Sequence, residues 1–277
     1  MKVLVVGTGL MGGSFALKLK EHTIGGWDEN EENLSQAKSL GIIDLDFETL
    51  EEGLQWSDVI LLTIPVSAIK RELPEILNVV NNRQTVIDFG STKSSICEAV
   101  RNHSNRQRFV AAHPIAGTEY SGPEAAFSSL YEKKVMIYCE SDYSATDALE
   151  VFKGLCQIHN MVMVPMSPED HDQHLAYISH LSHIIAYSLS NVVLEKERDG
   201  QLILELAGSG FASTVRLAKS SPEMWTPIFL DNKTSLLNSM ADIMTKLKEM
   251  ERFLSQDDAQ AIYSFLEEGR KIRKILD

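Results

Sequence analysis

The feature that most constrains the fold is a glycine-rich turn at the start of the chain, in the run K-V-L-V-V-G-T-G-L-M-G. The apolar residues Val3 to Val6 predict a buried strand, and an amphipathic stretch ending near Lys20 predicts a helix. Between them, Gly7 permits a tight turn, Gly9 lets the backbone approach a pyrophosphate, and Gly12 lets the helix pack closely on the strand. The spacing therefore predicts a strand–turn–helix unit that binds a dinucleotide.

An acidic residue at the end of the next strand indicates which dinucleotide. Asp28 follows the turn by about 20 residues, which is the spacing of the acidic residue in dinucleotide-binding sequences with this glycine pattern. Its carboxylate can accept hydrogen bonds from both ribose hydroxyls but repels a 2′-phosphate. Residues 29–32 (E-N-E-E) supply no Arg or Lys to neutralise such a phosphate, so we expect NAD rather than NADP. The cofactor-binding residues expected here are Gly7, Gly9, Leu10, Met11, Gly12 and Asp28.

Short β-branched runs alternate with amphipathic stretches as far as about residue 165. The predicted strands cover residues 3–6, 24–27, 59–64, 86–89, 109–112, 135–138 and 161–164. Beyond Pro165 the sequence pattern changes to long stretches in which apolar residues recur with the period of a helix. Ser167, Pro168 and Glu169 resemble a helix start. We therefore expect an α/β chain, with a Rossmann-type, doubly wound, mostly parallel sheet in residues 1–165. An all-helical substrate-binding and dimerisation domain is expected in residues 166–277.

A stripe of apolar residues near the end of the chain needs a covering surface. Its members alternate in spacings of four and three, which places them along one seam of a helix; they are Leu236, Met240, Ile243, Leu247, Met250 and Leu254. The seam can pack within its own domain or against a second copy of the chain. A homodimer formed through these C-terminal helices is the expected assembly.

Composition excludes several classes of partner. The net charge of −13 argues against nucleic acid, whose binding depends on clustered Lys and Arg. Cys97, Cys139 and Cys156 have no C-x-x-C spacing, which fits buried thiols in a reducing compartment. No apolar run approaches the roughly 20 residues of a membrane span, and the N-terminal run is too short for a signal peptide. We expect a cytoplasmic protein that binds a small molecule.

Two further segments carry candidate catalytic residues at strand ends. The run H-P-I-A-G-T-E-Y-S-G from His113 to Gly122 is poor in large apolar residues, as a cleft-lining loop would be. Imidazole titrates near neutrality, so His113 is the candidate general acid or base, although a lone histidine there can also be structural. Upstream, D-F-G-S-T-K places Ser91 and Lys93 where open α/β sheets bind ligands, but Lys93 can equally form a solvated pair with Asp88.

Four histidines, His171, His174, His180 and His183, suggest a metal site, but helical geometry argues against one. At 100° per residue His171 and His180 lie on opposite helix faces, so the four cannot converge on one ion. The same arithmetic places Asp172, His180 and His183 on one stripe facing a single cleft. No metal is expected.

The motifs G-T-G-L-M-G, D-F-G-S-T-K and H-P-I-A-G-T-E-Y-S-G closely resemble those of the prephenate and arogenate dehydrogenase family. The resemblance continues in H-D-Q-H-L-A-Y-I-S-H-L-S-H and in G-S-G-F-A-S-T-V-R-L-A-K-S-S-P-E-M-W, and spans most of residues 1–225. It implies that His113 binds the hydroxyl on the ring carbon that loses hydride, and that Ser91 orients this hydroxyl and the nicotinamide. It also implies that Arg216 holds a substrate carboxylate and that other side chains line or gate the substrate pocket: Thr118, Glu119, His180 and His183.

The expected activity is therefore NAD-dependent oxidative decarboxylation of prephenate to 4-hydroxyphenylpyruvate in tyrosine biosynthesis. Arogenate is the alternative substrate, and His183 favours prephenate because a second imidazole can donate to a keto-acid side chain. Remoter alternatives are another two-domain dehydrogenase, acting on a β-hydroxy acid or an imine, and a nucleotide-sensing protein without catalysis. The former usually depends on a helix-borne lysine, where this chain has histidines.

Overall fold

The protein is described by a computed structural model that covers residues 1–198 and 203–276. It divides into two compact units, Met1–Asn232 and Lys233–Asp277. Within the described residues, no helix has the length and apolar character needed to cross a membrane.

The first unit is organised by one sheet, to which the described residues contribute eight strands in the order β3-β2-β1-β4-β5-β6-β7-β8. The strands are β1 (Lys2–Val6), β2 (Thr23–Trp27), β3 (Leu45–Asp46), β4 (Val59–Leu62), β5 (Thr85–Asp88), β6 (Phe109–Pro114), β7 (Val135–Cys139) and β8 (Val162–Met166). Only β7 pairs antiparallel with β6, and the other described pairings are parallel. The order of β1 to β6 is that of a doubly wound dinucleotide-binding sheet, which confirms the predicted fold class.

Helices connect the strands and then make up the later part of the chain. Those between strands are α1 (Leu10–Ala16), α2 (Glu31–Ser39), α3 (Leu50–Trp56), α4 (Val66–Val79), α5 (Ser94–Val100) and α6 (Thr146–Ile158). After β8 come α7 (Pro168–Leu175), a π-helical turn (Ala176–His180), α8 (Leu181–Arg198), α9 (Ser209–Thr214), α10 (Pro222–Asp231), α11 (Lys233–Ser255) and α12 (Ala259–Arg270). The helical C-terminal region is thus also as predicted.

The central strands explain why their sequences are continuously apolar. All four residues of β4 are buried, and β1 is buried from Val3 to Val6. A parallel strand covered by helices on both faces has no polar side. One core cluster lies on the side of Phe15 from α1, and the other lies on the side of Ile69 and Leu73 from α4.

The strand register places the candidate residues at one edge of the sheet. Val6 of β1 lies opposite Leu62 of β4, which lies opposite Asp88 of β5, which lies opposite Ala111 of β6. The segments that follow these strands therefore meet at the carboxyl edge, where open α/β sheets bind ligands.

The second unit is a pair of helices. Phe253 of α11 contacts Phe265 of α12 in an edge-to-face arrangement with ring centroids 6.4 Å apart. Leu247 and Leu254, which belong to the predicted apolar seam, are 63% and 60% exposed. Packing inside the unit therefore leaves these two side chains uncovered.

Candidate active site

A cavity of about 600 Å³ lies at the carboxyl edge of the sheet, within the first unit. It brings together residues from the two halves of the sequence that were predicted to act together. The predicted residues that line it are Gly9, Leu10, Met11, Ser91, His113, Thr118, Glu119, His180, His183 and Arg216. A second cleft of about 430 Å³ adjoins it and is lined by Gly7, Gly9 and Asp28.

The glycine turn between β1 and α1 has the conformation that its sequence requires. Gly7 has φ +94°, a region that side chains rarely adopt. A Cβ on Gly12 would overlap the Gly7 carbonyl oxygen and the Thr63 hydroxyl. Gly9 is the N-cap of α1 without a side-chain cap, so the first N–H groups of the helix remain available to a ligand.

Asp28 is fixed beside this turn by hydrogen bonds. Its Oδ2 accepts from the Thr8 backbone N–H at 2.7 Å and from the Thr8 hydroxyl at 3.1 Å. Its Oδ1 accepts from the Asn30 backbone N–H at 3.0 Å. The carboxylate therefore presents a positioned negative charge to the smaller cleft.

The same cleft contains a cation that sequence reasoning missed. Arg71 of α4 lines it together with Asp28, Glu29 and Glu72. The residues immediately after Asp28, at positions 29–32, include no cation. Arg71 lies more than forty positions after Asp28, and nothing in the sequence indicates that the two share a cleft. The parallel pairing of β4 beside β1 brings α4 to the turn.

A chain of three polar side chains stands behind the larger cavity. Nδ1 of His113 lies 2.8 Å from Nε2 of His171, and Nδ1 of His171 lies 2.8 Å from Oδ1 of Asp172. A carboxylate only accepts hydrogen bonds, so His171 donates from Nδ1 and accepts at Nε2. His113 must then donate from Nδ1, which leaves an unshared electron pair on Nε2 for the cavity. The network thus leaves Nε2 of His113 able to accept a hydrogen bond or a proton from a group in the cavity.

The protonation states agree with this assignment. Burial lowers the pKa of His113 well below its usual value, and His171, Lys93 and His180 lower it further. Burial also lowers the pKa of His171, although Asp172 opposes the shift. Burial acts to raise the pKa of Asp172, but hydrogen bonds from His171, Ser94 and Lys93 outweigh it. At neutral pH Asp172 is therefore a carboxylate, and His171 and His113 are both neutral imidazoles.

The prediction that Asp172, His180 and His183 face a single cleft is wrong for Asp172, because the helix is not regular, whereas His180 and His183 both line the cavity. The π-helical turn at Ala176–His180 changes the rotation per residue. Both carboxylate oxygens of Asp172 accept backbone N–H groups at the start of α5, from Lys93 at 2.8 Å and Ser94 at 2.9 Å. Asp172 therefore supports the site from behind, and His171, which was expected on an opposite face, contacts His113 directly.

Lys93 forms an ion pair with Asp88, but the pair is not solvated. Both side chains are 0% exposed. Asp88 also accepts the Gly90 N–H at 3.0 Å and the Ala112 N–H at 3.1 Å. A buried carboxylate requires compensation of this kind, so Lys93 has a place in the supporting structure rather than at a surface.

His180 and His183 reach the cavity with opposite hydrogen-bonding character. Nδ1 of His180 lies 3.1 Å from the Asn232 amide nitrogen, so it accepts, and its Nε2–H is buried without a protein partner among the described residues. His183 donates from Nδ1 to the Ser179 carbonyl at 2.9 Å and stacks on Trp225. Burial lowers the pKa of His180 to about 4 and also lowers that of His183. Neutral His183 can then only accept at Nε2, so its predicted role as a donor to a keto acid is wrong.

Arg216 and Glu119 close one side of the cavity. Arg216 donates to the Glu119 carboxylate at 3.1 Å. The pKa of Glu119 is lowered by a hydrogen bond from its own backbone N–H and, to a smaller extent, by Arg216. Thr118 accepts the Tyr120 N–H at 3.2 Å and so shapes this loop.

Comparison with known proteins places this arrangement in a family. The model of the prephenate dehydrogenase nucleotide-binding domain matches residues 15–164, and that of the prephenate dehydrogenase dimerization domain matches residues 167–268. The chain belongs to the prephenate dehydrogenase family. It is 31% identical to the prephenate dehydrogenase of Bacillus subtilis in an alignment that covers 98% of this chain and 75% of that protein.

Solved structures of family members are also similar. The prephenate dehydrogenase of A. aeolicus, in complex with hydroxyphenyl propionate and NAD+, matches with a TM-score of 0.90 and 31% identity, over 100% of this chain and 98% of that one. The arogenate dehydrogenase of Synechocystis matches with a TM-score of 0.80 and 27% identity over 100% of both chains.

Proposed function

We propose that the chain is an NAD-dependent prephenate dehydrogenase that converts prephenate to 4-hydroxyphenylpyruvate and carbon dioxide. One observation carries the proposal: a single cavity is lined by the glycine turn, by Ser91 and His113, and by Arg216. Family membership supports it independently. We place the boundary between the nucleotide-binding and the substrate-binding regions at residues 165/166.

The residues present fit NAD. A Cβ on Gly9 would meet only Gly122, at 3.9 Å or more, so a diphosphate can approach the backbone there, and the start of α1 offers N–H groups to it. Asp28 is positioned to accept the ribose hydroxyls. When bound, NAD+ supplies the acceptor for the hydride that leaves the ring carbinol carbon.

The side chains then have distinct tasks. Nε2 of His113 accepts the proton of the ring hydroxyl, and Ser91 orients this hydroxyl. The imidazolium that forms donates from Nδ1 to His171, whose own Nδ1–H bonds Asp172, so the new positive charge is stabilised through the chain. Loss of the ring carboxylate as carbon dioxide returns its electron pair to the ring, which becomes aromatic, and the phenolate oxygen that results takes the proton back from Nε2 of His113.

The other cavity residues hold the substrate. The Arg216 guanidinium can bind a carboxylate through two parallel hydrogen bonds, in exchange for its contact with Glu119. The buried Nε2–H of His180 can donate to a second oxygen of the substrate. Thr118 and Glu119 line the entrance.

Arogenate is the second candidate, and one observation favours it. His183 presents an acceptor, which suits the ammonium group of arogenate better than the keto group of prephenate. The relatives named above include both activities, and the more similar ones are prephenate dehydrogenases. Prephenate is therefore the proposed substrate.

The deciding experiment measures NADH formation by the purified protein with prephenate and with arogenate. We expect a higher kcat/KM with prephenate and 4-hydroxyphenylpyruvate as product. His113→Asn should lower kcat by roughly 10²-fold or more by removing the base. His174→Asn, an exposed histidine of α7, is the matched control and should leave kcat unchanged. Preference for arogenate would reassign the substrate, and an unchanged His113→Asn variant would contradict catalysis by this site.

We also propose a homodimer formed through the C-terminal helices. The match to a dimerization domain and the exposed Leu247 and Leu254 support it. Light scattering should give a mass twice the 30.9 kDa of one chain, and a mass of one chain at micromolar concentration would contradict the proposal.

A further inference from the structure

The smaller cleft beside the glycine turn contains charges of both signs. Asp28 and Glu29 contribute carboxylates from the end of β2, and Arg71 and Glu72 contribute an ion pair from α4. In the proposed function, which this inference extends, the ribose next to adenine occupies this cleft. A phosphate on its 2′-hydroxyl would lie among these side chains.

Arg71 is held in place by acidic neighbours. Its Nε donates to Oε1 of Glu72 at 2.7 Å, while its side chain remains 68% exposed. The hydrogen bond and charge of Glu72 raise the pKa of Arg71, and the charge of Glu29 adds to the effect. Arg71 therefore lines the cleft as a cation whose charge is offset by Glu72, and its contact to Glu72 through Nε leaves its other N–H groups outside that hydrogen bond.

Asp28 lines the same cleft as Arg71 and carries the opposite charge. Because Thr8 and Asn30 hold the Asp28 carboxylate, it cannot turn away from a phosphate. A 2′-phosphate would meet repulsion from Asp28 and attraction from Arg71. A guanidinium binds phosphate through two parallel hydrogen bonds, so the attraction is substantial once the repulsion is removed.

We propose that Arg71 is a latent 2′-phosphate anchor, so that the choice between NAD and NADP is set by the balance of Asp28 against Arg71 rather than by the absence of a cation. Glu72 restrains the anchor. Loss of the Asp28 charge, or release of Arg71 from Glu72, should therefore increase the use of NADP, and both gains should depend on Arg71.

The test is a double-mutant cycle of Asp28→Asn and Arg71→Met, with kcat/KM for NADP and NAD measured in the proposed reaction. Asp28→Asn should raise kcat/KM for NADP by roughly tenfold or more, equivalent to about 1.4 kcal/mol. Adding Arg71→Met should remove most of this gain, whereas Arg71→Met alone should have a smaller effect. High salt should reduce the gain, since the contact is exposed.

Three further measurements keep the outcome clear. Calorimetric titration with NADP+ reports affinity without turnover. Glu72→Gln leaves Asp28 intact, so it tests the anchor even where Asp28→Asn does not fold, and it should tighten NADP+ binding unless Arg71→Met is also present. Arg101→Met is the control, because Arg101, just after α5, likewise donates from Nε to a glutamate, Glu98, at 2.7 Å and lies outside the cleft.

Equal NADP+ affinity of Asp28→Asn with and without Arg71→Met, or the same change with Arg101→Met, would overturn the proposal. Wild-type protein that fails to oxidise prephenate with NAD would instead contradict the proposed function. The two failures are thus distinguishable.

Discussion

Asp172→Asn should lower kcat in those molecules whose new amide turns its NH₂ group toward His171, although residue 172 does not contact the substrate. In the native chain the carboxylate forces His171 to donate from Nδ1 and His113 to keep an electron pair on Nε2. An amide NH₂ group facing His171 would reverse both tautomers. His113 would then carry its hydrogen on Nε2 and could not accept a proton from the hydroxyl.

The magnitude follows from what each orientation of the new amide does. With NH₂ toward His171 the base is lost, which costs roughly 10²- to 10⁴-fold in kcat, or about 3–5 kcal/mol, and the same NH₂ group also faces the Lys93 N–H. With NH₂ turned toward the Ser94 N–H, two donors face each other, at a cost of about 1–3 kcal/mol. In either orientation a neutral amide replaces the carboxylate that accepts the N–H groups at the start of α5. The melting temperature should therefore also fall by roughly 2–10 °C.

The assay separates catalysis from structure. Steady-state kinetics at pH 7 should show the fall in kcat with nearly unchanged KM for NAD and for the acid substrate, because Asp172 contacts neither in the proposed complex. Asp170→Asn makes the same chemical change on the same helix, at an exposed carboxylate that bonds Ser167, and should retain wild-type kcat.

Two results would refute the reasoning. A kcat of the Asp172→Asn variant within threefold of wild type, at an unchanged melting temperature, would show that the Asp172 carboxylate neither sets the tautomers of the imidazole pair nor holds the start of α5. A rise in both KM values together with the loss of kcat would show that the variant displaces the loop that contains Ser91, which is a structural effect.

Three other changes test separate parts of the molecule. Arg216→Ala should raise the KM for the acid substrate roughly tenfold or more while NAD affinity, measured by titration, stays the same; a loss of NAD affinity would assign the arginine to the cofactor. Burial lowers the pKa of His159 to about 4, so the stability it contributes is complete above about pH 6.5 and is lost as the pH falls toward 4. The fall in unfolding free energy from pH 7 to pH 5, measured with urea, should therefore be smaller in His159→Phe by about 2 kcal/mol, and parallel pH curves would contradict this. Gly12→Ala should weaken NAD binding at least tenfold through the overlap at the turn. Gly154→Ala is the control and should not weaken it, because nothing lies within 4 Å of a new Cβ there. Similar NAD affinities of the two variants would count against the turn as the cofactor site.

The fold could be predicted because its signals are local. Each strand except β3 appears in the sequence as a short apolar run. The glycine turn determines how the chain passes from β1 to α1. β3 was missed because Leu45 and Asp46 form only two residues of strand with no apolar run. The reversed direction of β7 depends on the path of the chain between strands and has no periodic signature.

The site was predictable where a residue type suggests its chemistry, as for His113, or where a motif resembles that of the family, as for Ser91 and Arg216. His113, Ser91 and Arg216 were assigned from motifs, and all three line one cavity. The partnership of His171 with Asp172 was not foreseen, because the calculation of helix faces assumed 100° per residue across a segment that contains a π-helical turn. Arg71 was missed because its neighbours in space come from another strand–helix unit.

Two buried carboxylates explain why the predicted residues occupy one place. Oδ2 of Asp88 accepts the N–H of Gly90, next to Ser91, while Oδ1 accepts the N–H of Ala112, next to His113. A single side chain thus fixes the ends of β5 and β6 relative to each other, with Lys93 compensating its charge. Asp172 performs the corresponding task between α5 and His171. Since burial makes an unpaired carboxylate costly, each can persist only while its donors stay in place. Two charges that do not line the cavity thus keep Ser91 and His113 together.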